Sequence, residues 1–104
     1  MIQNVEKLLF TRELSVLLKS GVPLREALLS IAEQSQFSSM RRVIETIIKD
    51  IENGQSFSHA LERHPKVFNH LFVSLIGIGE RSGALSKNLE FLALQLEKNY
   101  QLKK

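Results

Sequence analysis

The sequence predicts an all-α fold, a compact antiparallel bundle of six helices joined by short connections. Apolar residues recur at three-and-four spacing along most of the chain, which is the period of an amphipathic helix. No segment alternates apolar and polar residues as a half-buried strand does. Glycine, proline and polar residues interrupt the helical pattern and leave links of about two to six residues, which favour antiparallel neighbours.

The first predicted helix runs from about Asn4 to Ser20, and Gly21 is placed to end it in a left-handed conformation. Its apolar positions are Val5, Leu8, Leu9, Leu14, Val16, Leu17 and Leu18, with Phe10 and Thr11 on the flank. Pro23 suits the first position of the second helix, because its missing N–H costs nothing there. The apolar face of that helix comprises Leu24, Ala27, Leu28, Ile31 and Ala32.

The third predicted helix has the cleanest apolar stripe in the chain. Ser38 or Ser39 is placed to cap its start by accepting a backbone hydrogen bond. The stripe comprises Met40, Val43, Ile44, Ile47, Ile48 and Ile51, and the opposite side carries Arg41, Arg42, Glu45, Lys49, Asp50 and Glu52. Its spacing is helical and not alternating, so the β-branched isoleucines do not indicate a strand. Asn53 and Gly54 end the helix.

Three further helices complete the predicted bundle. Ser56 caps a short fourth helix, whose buried side is Phe57, Ala60 and Leu61, and His64 followed by Pro65 ends it. The fifth runs from about residue 69 to 81, and the sixth from about residue 85 to the chain end. Their inward positions are Phe68, Leu71, Phe72, Leu75 and Ile76 for the fifth, and Leu85, Leu89, Leu92, Leu96 and Tyr100 for the sixth.

Composition indicates one globular domain spanning residues 1–104. The chain has 43% hydrophobic and 24% charged residues, which suffices for a single modest core. It has no cysteine, which excludes disulfides, a thiolate nucleophile and cysteine-ligated zinc. The net charge of +3 is spread over both signs and no basic stripe is interleaved with aromatics, so nucleic acid is not an indicated partner. The apolar runs are too short for a membrane span, and no signal-peptide pattern opens the chain.

The sequence offers little support for catalysis. His59, His64 and His70 lack the spacing of a helical zinc site, and surface or capping roles account for them better. No glycine-rich loop follows a strand, and no serine has a nucleophile-elbow setting. Glu80 is unusual because it falls in the last turn of the fifth helix, where a carboxylate is mildly unfavourable. It is either a surface residue, paired or not with an arginine, or a functional one. With a carboxylate from a neighbouring subunit it is also a weak candidate for a divalent-cation site, and no other cofactor is expected.

Five apolar residues fall off the main stripes of the first and last helices. They are Leu9 and Val16 in the first helix, and Phe91, Leu94 and Leu102 in the sixth. They either widen the core or face a partner subunit, and the pattern does not decide between these two.

Three linked segments carry a family resemblance. FTRELSVLLKSGVPLREAL contains Phe10, Arg12, Leu14, Gly21, Pro23, Leu24, Ala27 and Leu28. ENGQSFSHALERHPKVF contains Gly54, Ser56, Ala60, Leu61, His64, Pro65 and Phe68, and GERSGALSKNLEFLALQLEK contains Gly79, Glu80, Ser82, Gly83 and Leu85. In this order and spacing they resemble the cytoplasmic repeat of the inner-membrane platform proteins of type II secretion and type IV pilus assembly, the GspF/PilC family. The resemblance runs from about Leu9 to the chain end. Where the family often has an acid, this chain has His59, so the reciprocal capping box of helix four is lost.

The resemblance implies a scaffold with no catalytic activity. The chain would be the first cytoplasmic domain of a larger multi-pass membrane protein, on the cytoplasmic face of the bacterial inner membrane. The expected partners are the cytoplasmic assembly or secretion ATPase, other inner-membrane subunits and further copies of the same chain. Secretion and pilus systems share the motifs, so the sequence does not separate them. The alternatives are a stand-alone soluble helical adaptor that binds a partner helix and, less favoured, a metal-dependent activity around Glu80 and the histidines.

The candidate residues divide into two groups. The partner-contact candidates are Glu80, Arg81 and Ser82 at the end of helix five, and Arg41 and Arg42 on helix three. The residues assigned a structural role are Gly21, Pro23, Gly54, Pro65 and Gly83. If Glu80 serves a partner, Glu80→Ala should leave melting nearly unchanged and impair assembly in cells.

Overall fold

The computed structural model describes residues 2–102, and this part of the chain forms six α-helices and no β-strand. The helices are α1 (Asn4–Lys19), α2 (Leu24–Gln34), α3 (Ser38–Glu52), α4 (Phe57–Glu62), α5 (His70–Ser82) and α6 (Leu85–Leu102). The all-α prediction is therefore confirmed. The predicted continuation of the sixth helix to residue 104 lies outside the described residues.

The helices form a closed ring in which each packs against the next and α6 returns to α1. The Ser15 hydroxyl, in the second half of α1, donates to the Ser86 carbonyl at the start of α6 at 3.1 Å. The end of α1 therefore lies beside the beginning of α6, as in an antiparallel pair. This closure gives every helix two neighbours, so each helix buries a broad face.

The core at the centre of the ring is apolar and contains an aromatic group. The Phe68 ring lies 5.9 Å from the Phe10 ring and 5.0 Å from the Phe72 ring, measured between centroids, in tilted arrangements typical of aromatic pairs. The other large, fully buried side chains are Leu14, Leu28, Ile44, Ile47, Phe57, Leu61, Ile76 and Leu89. The predicted stripe of α3 faces this core, with Val43 and Ile51 at its partly buried edges.

The buried face of α1 differs from the predicted one. Phe10 and Thr11, expected on the flank, are fully buried, whereas Val16 is exposed. The reason is that α1 packs against both α2 and α6, so its buried face is not a single stripe. The Thr11 hydroxyl is satisfied locally, since it donates to the Lys7 carbonyl at 2.7 Å. A hydroxyl that bonds within its own helix can be buried at little cost.

Two predicted inward positions are also exposed. Leu71 in α5 and Tyr100 in α6 both lie on the outside of the bundle. Of the predicted stripe, Phe68, Phe72 and Ile76 are buried, and Leu71, at its edge, is exposed. A three-and-four spacing includes adjacent positions such as Leu71 and Phe72, so periodicity alone does not show where the buried face ends.

Two helix starts differ from their predictions. Pro23 is the N-cap of α2 and not its first helical residue; its ψ of 150° is extended, and its carbonyl accepts the Ala27 N–H at 2.9 Å. The N-cap of α3 is Phe37, so neither Ser38 nor Ser39 caps that helix. Instead the Ser35 hydroxyl accepts the Phe37 N–H at 3.2 Å, because a serine just before a helix can form its own local turn.

The links after α1, α3 and α5 each contain a glycine with positive φ. Gly21 and Gly54 have φ of 95°, and Gly83 has φ of 79°, a region that other residues rarely adopt. Pro65 lies in the turn that follows α4, where the Val67 and Phe68 N–H groups both donate to the His64 carbonyl at 3.0 Å. These four residues set the direction of the chain between helices.

Candidate functional site

The candidate site is the corner of the bundle where the end of α5 meets the start of α4. The Glu80 carboxylate crosses this corner and accepts two backbone N–H groups of α4, from Phe57 at 2.7 Å and from Ser58 at 3.0 Å. The Ser56 hydroxyl accepts a third, from His59 at 3.1 Å. The first three amides of this six-residue helix are thus all satisfied by side chains.

This geometry explains why a glutamate occupies the last turn of α5. The carbonyl ends of α5 disfavour a negative charge, but the amide ends of α4 favour it, and two charge-assisted hydrogen bonds outweigh the unfavourable term. Glu80 therefore joins α4 to α5 across more than twenty residues of chain, and this part of the corner is structural. Its partner is backbone, which residue patterns do not reveal.

The structure does not favour a divalent cation at Glu80. Both carboxylate oxygens already accept amide protons of α4, which leaves only their remaining lone pairs for a cation. Within residues 2–102, no group of three or more histidine, cysteine, aspartate and glutamate side chains is arranged to hold a metal ion.

Arg81 and Ser82 follow Glu80 and are exposed. The Arg81 guanidinium lies back over Gly77, and no hydrogen bond or ion pair of this side chain occurs within the described chain. It borders a groove of about 530 Å³ between α4 and α5, together with Ser58, Glu62 and Ile78. The corner thus combines a backbone fixed by Glu80 with an exposed cation next to a groove.

The two arginines of α3 differ from each other. Arg41 donates to the carbonyls of Ala32, at 3.2 Å, and Ser35, so its guanidinium holds the C-terminal end of α2. Arg42 is exposed and has no hydrogen bond or ion pair within residues 2–102. Of the two, only Arg42 remains free to contact a partner, because Arg41 already holds the end of α2.

The three histidines are not brought together as ligands. His64 is half-buried, and its Nε2 lies 2.9 Å from the Thr46 hydroxyl. Burial lowers the pKa of His64, the Asp50 carboxylate raises it, and the Arg63 guanidinium lowers it again, with a net decrease. His70 lies on the surface near the Ser74 hydroxyl, at 3.4 Å, and His59 is exposed.

A second exposed feature is an apolar strip in which Val16 of α1 and Leu94 of α6 border the same groove, with Phe91 about one turn before Leu94 on α6. These side chains are 58%, 56% and 47% exposed, so they do not widen the core. Leu9 is half-buried, and the side chain of Leu102 lies outside the described part of the chain. Charged residues border the strip: Arg12 and Lys19 on α1, and Glu90 and Glu97 on α6, with Arg12 and Glu97 3.7 Å apart.

One buried charged residue was missed by the sequence analysis. Glu6, in the first turn of α1, is 4% exposed, and one of its carboxylate oxygens accepts the Gln3 N–H. The Gln3-x-x-Glu6 spacing is the available signal, because a glutamate at the third helical position can reach back to the N-cap amide.

None of the helices in the described range is long and apolar enough to cross a bilayer.

Comparison with known proteins relates the chain to secretion and pilus machines. The family model of the type II secretion system (T2SS) protein F matches residues 10–104. The type IV pilus assembly protein PilC of Myxococcus xanthus is 37% identical over 102 residues, which cover 98% of this chain and 24% of that protein. The type II secretion system protein F of Vibrio cholerae is 37% identical over 95 residues, 91% of this chain and 23% of that protein.

A third relative has the same extent. The type IV pilus assembly protein TapC of Aeromonas hydrophila is 36% identical over 102 residues, 98% of this chain and 25% of that protein. The chain therefore spans about a quarter of the length of these relatives. Because the family model covers nearly the whole helical ring, including the Glu80 corner, this chain belongs to the type II secretion system protein F family, also called the GspF/PilC family.

Proposed function

We propose that this chain is a non-enzymatic scaffold and interaction domain of an inner-membrane platform protein. In this role it couples the cytoplasmic assembly ATPase to the addition of pilin or pseudopilin subunits, in type II secretion or in type IV pilus assembly. Relatives named for both systems support the general role. The chain acts as one cytoplasmic domain of a larger membrane protein, and its work is to hold partners in position.

The observation that carries this proposal is the exposure of the Arg81 side chain. It is an exposed cation without an internal partner in the described chain, and it directly follows Glu80, whose two hydrogen bonds fix the local backbone. A charge held on a rigid element loses little conformational freedom when it meets a partner. Ser82 and the α4–α5 groove extend the surface around it, and Arg42 on α3 is a second contact candidate.

Charge reversal at Arg81 tests the contact. We expect Arg81→Glu to weaken binding of the assembly ATPase about tenfold and to reduce pilus assembly or secretion in cells, because complementary charges set partner choice. The purified variant should keep the unfolding midpoint of the wild type, since the guanidinium makes no internal hydrogen bond. Calorimetric titration with the ATPase and an assembly assay in cells provide the two readouts.

Lys49→Glu is the matched control for this experiment. Lys49 is an exposed α3 cation, and its reversal makes the same change in net charge on a different face. If both variants reduce binding equally, the effect is one of overall charge and the Arg81 contact is wrong. If neither reduces it, the corner is not the ATPase surface.

The proposal includes self-association through the strip of Val16, Phe91 and Leu94. A two-fold axis through the strip sets α1 of one copy against α6 of the other. The basic border of α1, Arg12 and Lys19, then meets the acidic border of α6 from the second copy. Apolar contact in the middle with opposite charges at the rim is the usual composition of a protein interface.

Leu94→Glu is expected to weaken this self-association at least about tenfold, because it places an unpaired charge in an apolar contact. Sedimentation equilibrium over a range of concentrations measures the effect. Leu71→Glu is the matched control, since Leu71 is 52% exposed on α5 and lies on another face. A wild-type chain that stays monomeric at high concentration, or equal effects of the two variants, would rule out the strip as the interface.

A further inference from the structure

The outer side of α5 carries two exposed aliphatic residues. Leu71 and Ile78 are 52% and 49% exposed. They are seven residues apart, which is close to two helical turns, so their side chains point the same way and lie about 10 Å apart along the axis. α5 packs against α4 on one side and against α6 on the other, and neither helix covers these two side chains.

The groove between α4 and α5 runs beside this apolar side. Ile78 is part of its wall, and the groove has a volume of about 530 Å³. Ser58 of α4 and Ser74 and Gly77 of α5 also line it. A Cβ on Gly77 would lie 3.6 Å from the Ser58 Cβ, so the two helices are close here, and it is the small size of these residues that leaves the groove open.

The chain direction of α4 places its residues along the groove. The first amides of α4 bond to Glu80 near the end of α5, and Ser58 lies beside Gly77, about one turn nearer the start of α5. Glu62, about one further turn along α4, lines the same groove as Ser74. α4 therefore runs back along α5, from the end of that helix toward its start.

Two unpaired charges of opposite sign consequently lie at different points of the groove. The Arg81 guanidinium lies back over Gly77, which is level with Ile78. Glu62 lies further toward the start of α5, and both charged residues are exposed. Neither side chain has a hydrogen bond or an ion pair within residues 2–102. A partner with the complementary order of charges would satisfy both.

The spacing of the two aliphatic residues favours a helix as the occupant. On a partner helix laid along α5, residues seven apart lie on one face and have the same rise of about 10 Å. On an extended strand, residues on one face are two or four apart, at about 7 or 13 Å, and match this spacing less well. A helix that lays its apolar face in a groove is a recurrent mode of protein recognition.

We propose that the α4–α5 groove and the outer side of α5 bind an amphipathic helix of a partner protein. Two apolar side chains of that helix, seven residues apart, pack on Leu71 and Ile78. An acidic residue at the Ile78 end pairs with Arg81, and a basic residue nearer the other end faces Glu62, so the charges fix the direction in which the helix lies. This inference rests on the proposed ATPase contact at Arg81 and names the kind of segment that makes it.

Cross-linking from single cysteines tests this inference, because the chain has no cysteine of its own. Leu71→Cys and Ile78→Cys each carry a benzophenone maleimide, and mass spectrometry identifies the labelled residues of the purified assembly ATPase. We expect both variants to label one ATPase helix at sites about seven residues apart, with an aspartate or glutamate within about one turn of the Ile78→Cys site. Glu45→Cys, at an exposed position of α3, is the control and should not label that helix. Labels on separate segments, or labels equal to those of the control, would overturn the inference.

Affinity measurements separate this inference from the proposed function. Leu71→Ser and Ile78→Ser should each weaken ATPase binding about tenfold in calorimetric titration, because each removes a buried apolar contact. Phe37→Ser removes a 39% exposed apolar side chain elsewhere and should leave the affinity unchanged. If Arg81→Glu weakens binding and both α5 serine variants bind normally, the helix is wrong and the Arg81 contact stands. If only the serine variants weaken binding, the Arg81 contact is wrong, and the acidic partner residue with it. The cysteine variants decide the case in which a serine variant does not fold.

Discussion

Glu80→Ala is expected to lower the free energy of unfolding by about 2–3 kcal/mol. The two charge-assisted hydrogen bonds contribute about 1.5–3 kcal/mol each, but Glu80 and Ser58 are only half-buried, so water replaces part of what the helix start loses. The amides of Phe57 and Ser58 would be left without the carboxylate that now satisfies them at 2.7 and 3.0 Å. Urea unfolding followed by circular dichroism measures the change. This predicted loss of stability replaces the expectation from the sequence that the melting of Glu80→Ala would be nearly unchanged.

Glu80→Gln is the matched variant, because it keeps one carbonyl acceptor and removes the charge. Its loss of stability should fall between those of wild type and Glu80→Ala. If Glu80→Ala unfolds at the wild-type urea concentration, the two hydrogen bonds do not stabilise the bundle. An assembly defect of Glu80→Ala in cells would not by itself identify a partner contact, since the variant also loosens α4. Arg81→Glu separates the two effects.

The parts of the fold that depend on local periodicity could be predicted from the sequence. The apolar stripe of α3 is unbroken and has a single neighbour on each side, so its spacing identifies both the helix and its buried face. Short links with glycine at their ends then imply consecutive antiparallel neighbours. These two local signals are sufficient for the six-helix architecture.

The buried face of α1 could not be predicted in this way. Phe10 and Thr11 are buried because α6 returns to α1 from the far end of the chain, and this contact is not a local property. Val16, which the sequence pattern grouped with the apolar positions of this helix, is exposed instead. The side that a terminal helix buries depends on which distant helix packs against it.

The candidate site shows the same limit. The unfavourable position of Glu80 in the last turn of α5 is visible in the sequence, but its partners are backbone amides of α4. Backbone amides are present at every position, so no residue type marks them as partners. Glu6 likewise has a readable capping role toward Gln3, but its near-complete burial is not a local property of the sequence.

Gly79→Ala should destabilise the chain by about 2 kcal/mol, as overpacking of a close helix contact does. A Cβ at this position would lie 2.9 Å from the Leu85 Cα and 3.2 Å from the Leu85 nitrogen, and both atoms are backbone. The start of α6 has little room to retreat. The Gly79 carbonyl accepts the Gly83 and Ala84 N–H groups at 3.0 Å, and the Asn88 amide donates to the Leu75 carbonyl at 2.8 Å.

Gly77→Ala provides the control on the same helix. Its added Cβ would meet the movable Arg81 guanidinium at 3.4 Å and Ser58 at 3.5 Å, which are ordinary contacts. Because alanine favours a helix interior over glycine by about 0.5–1 kcal/mol, this variant should be neutral or slightly stabilising. If α6 is held against the Gly79 backbone, urea unfolding should show a lower midpoint for Gly79→Ala and an unchanged or higher midpoint for Gly77→Ala. A Gly79→Ala midpoint as high as that of Gly77→Ala would show that α6 can move away at no cost.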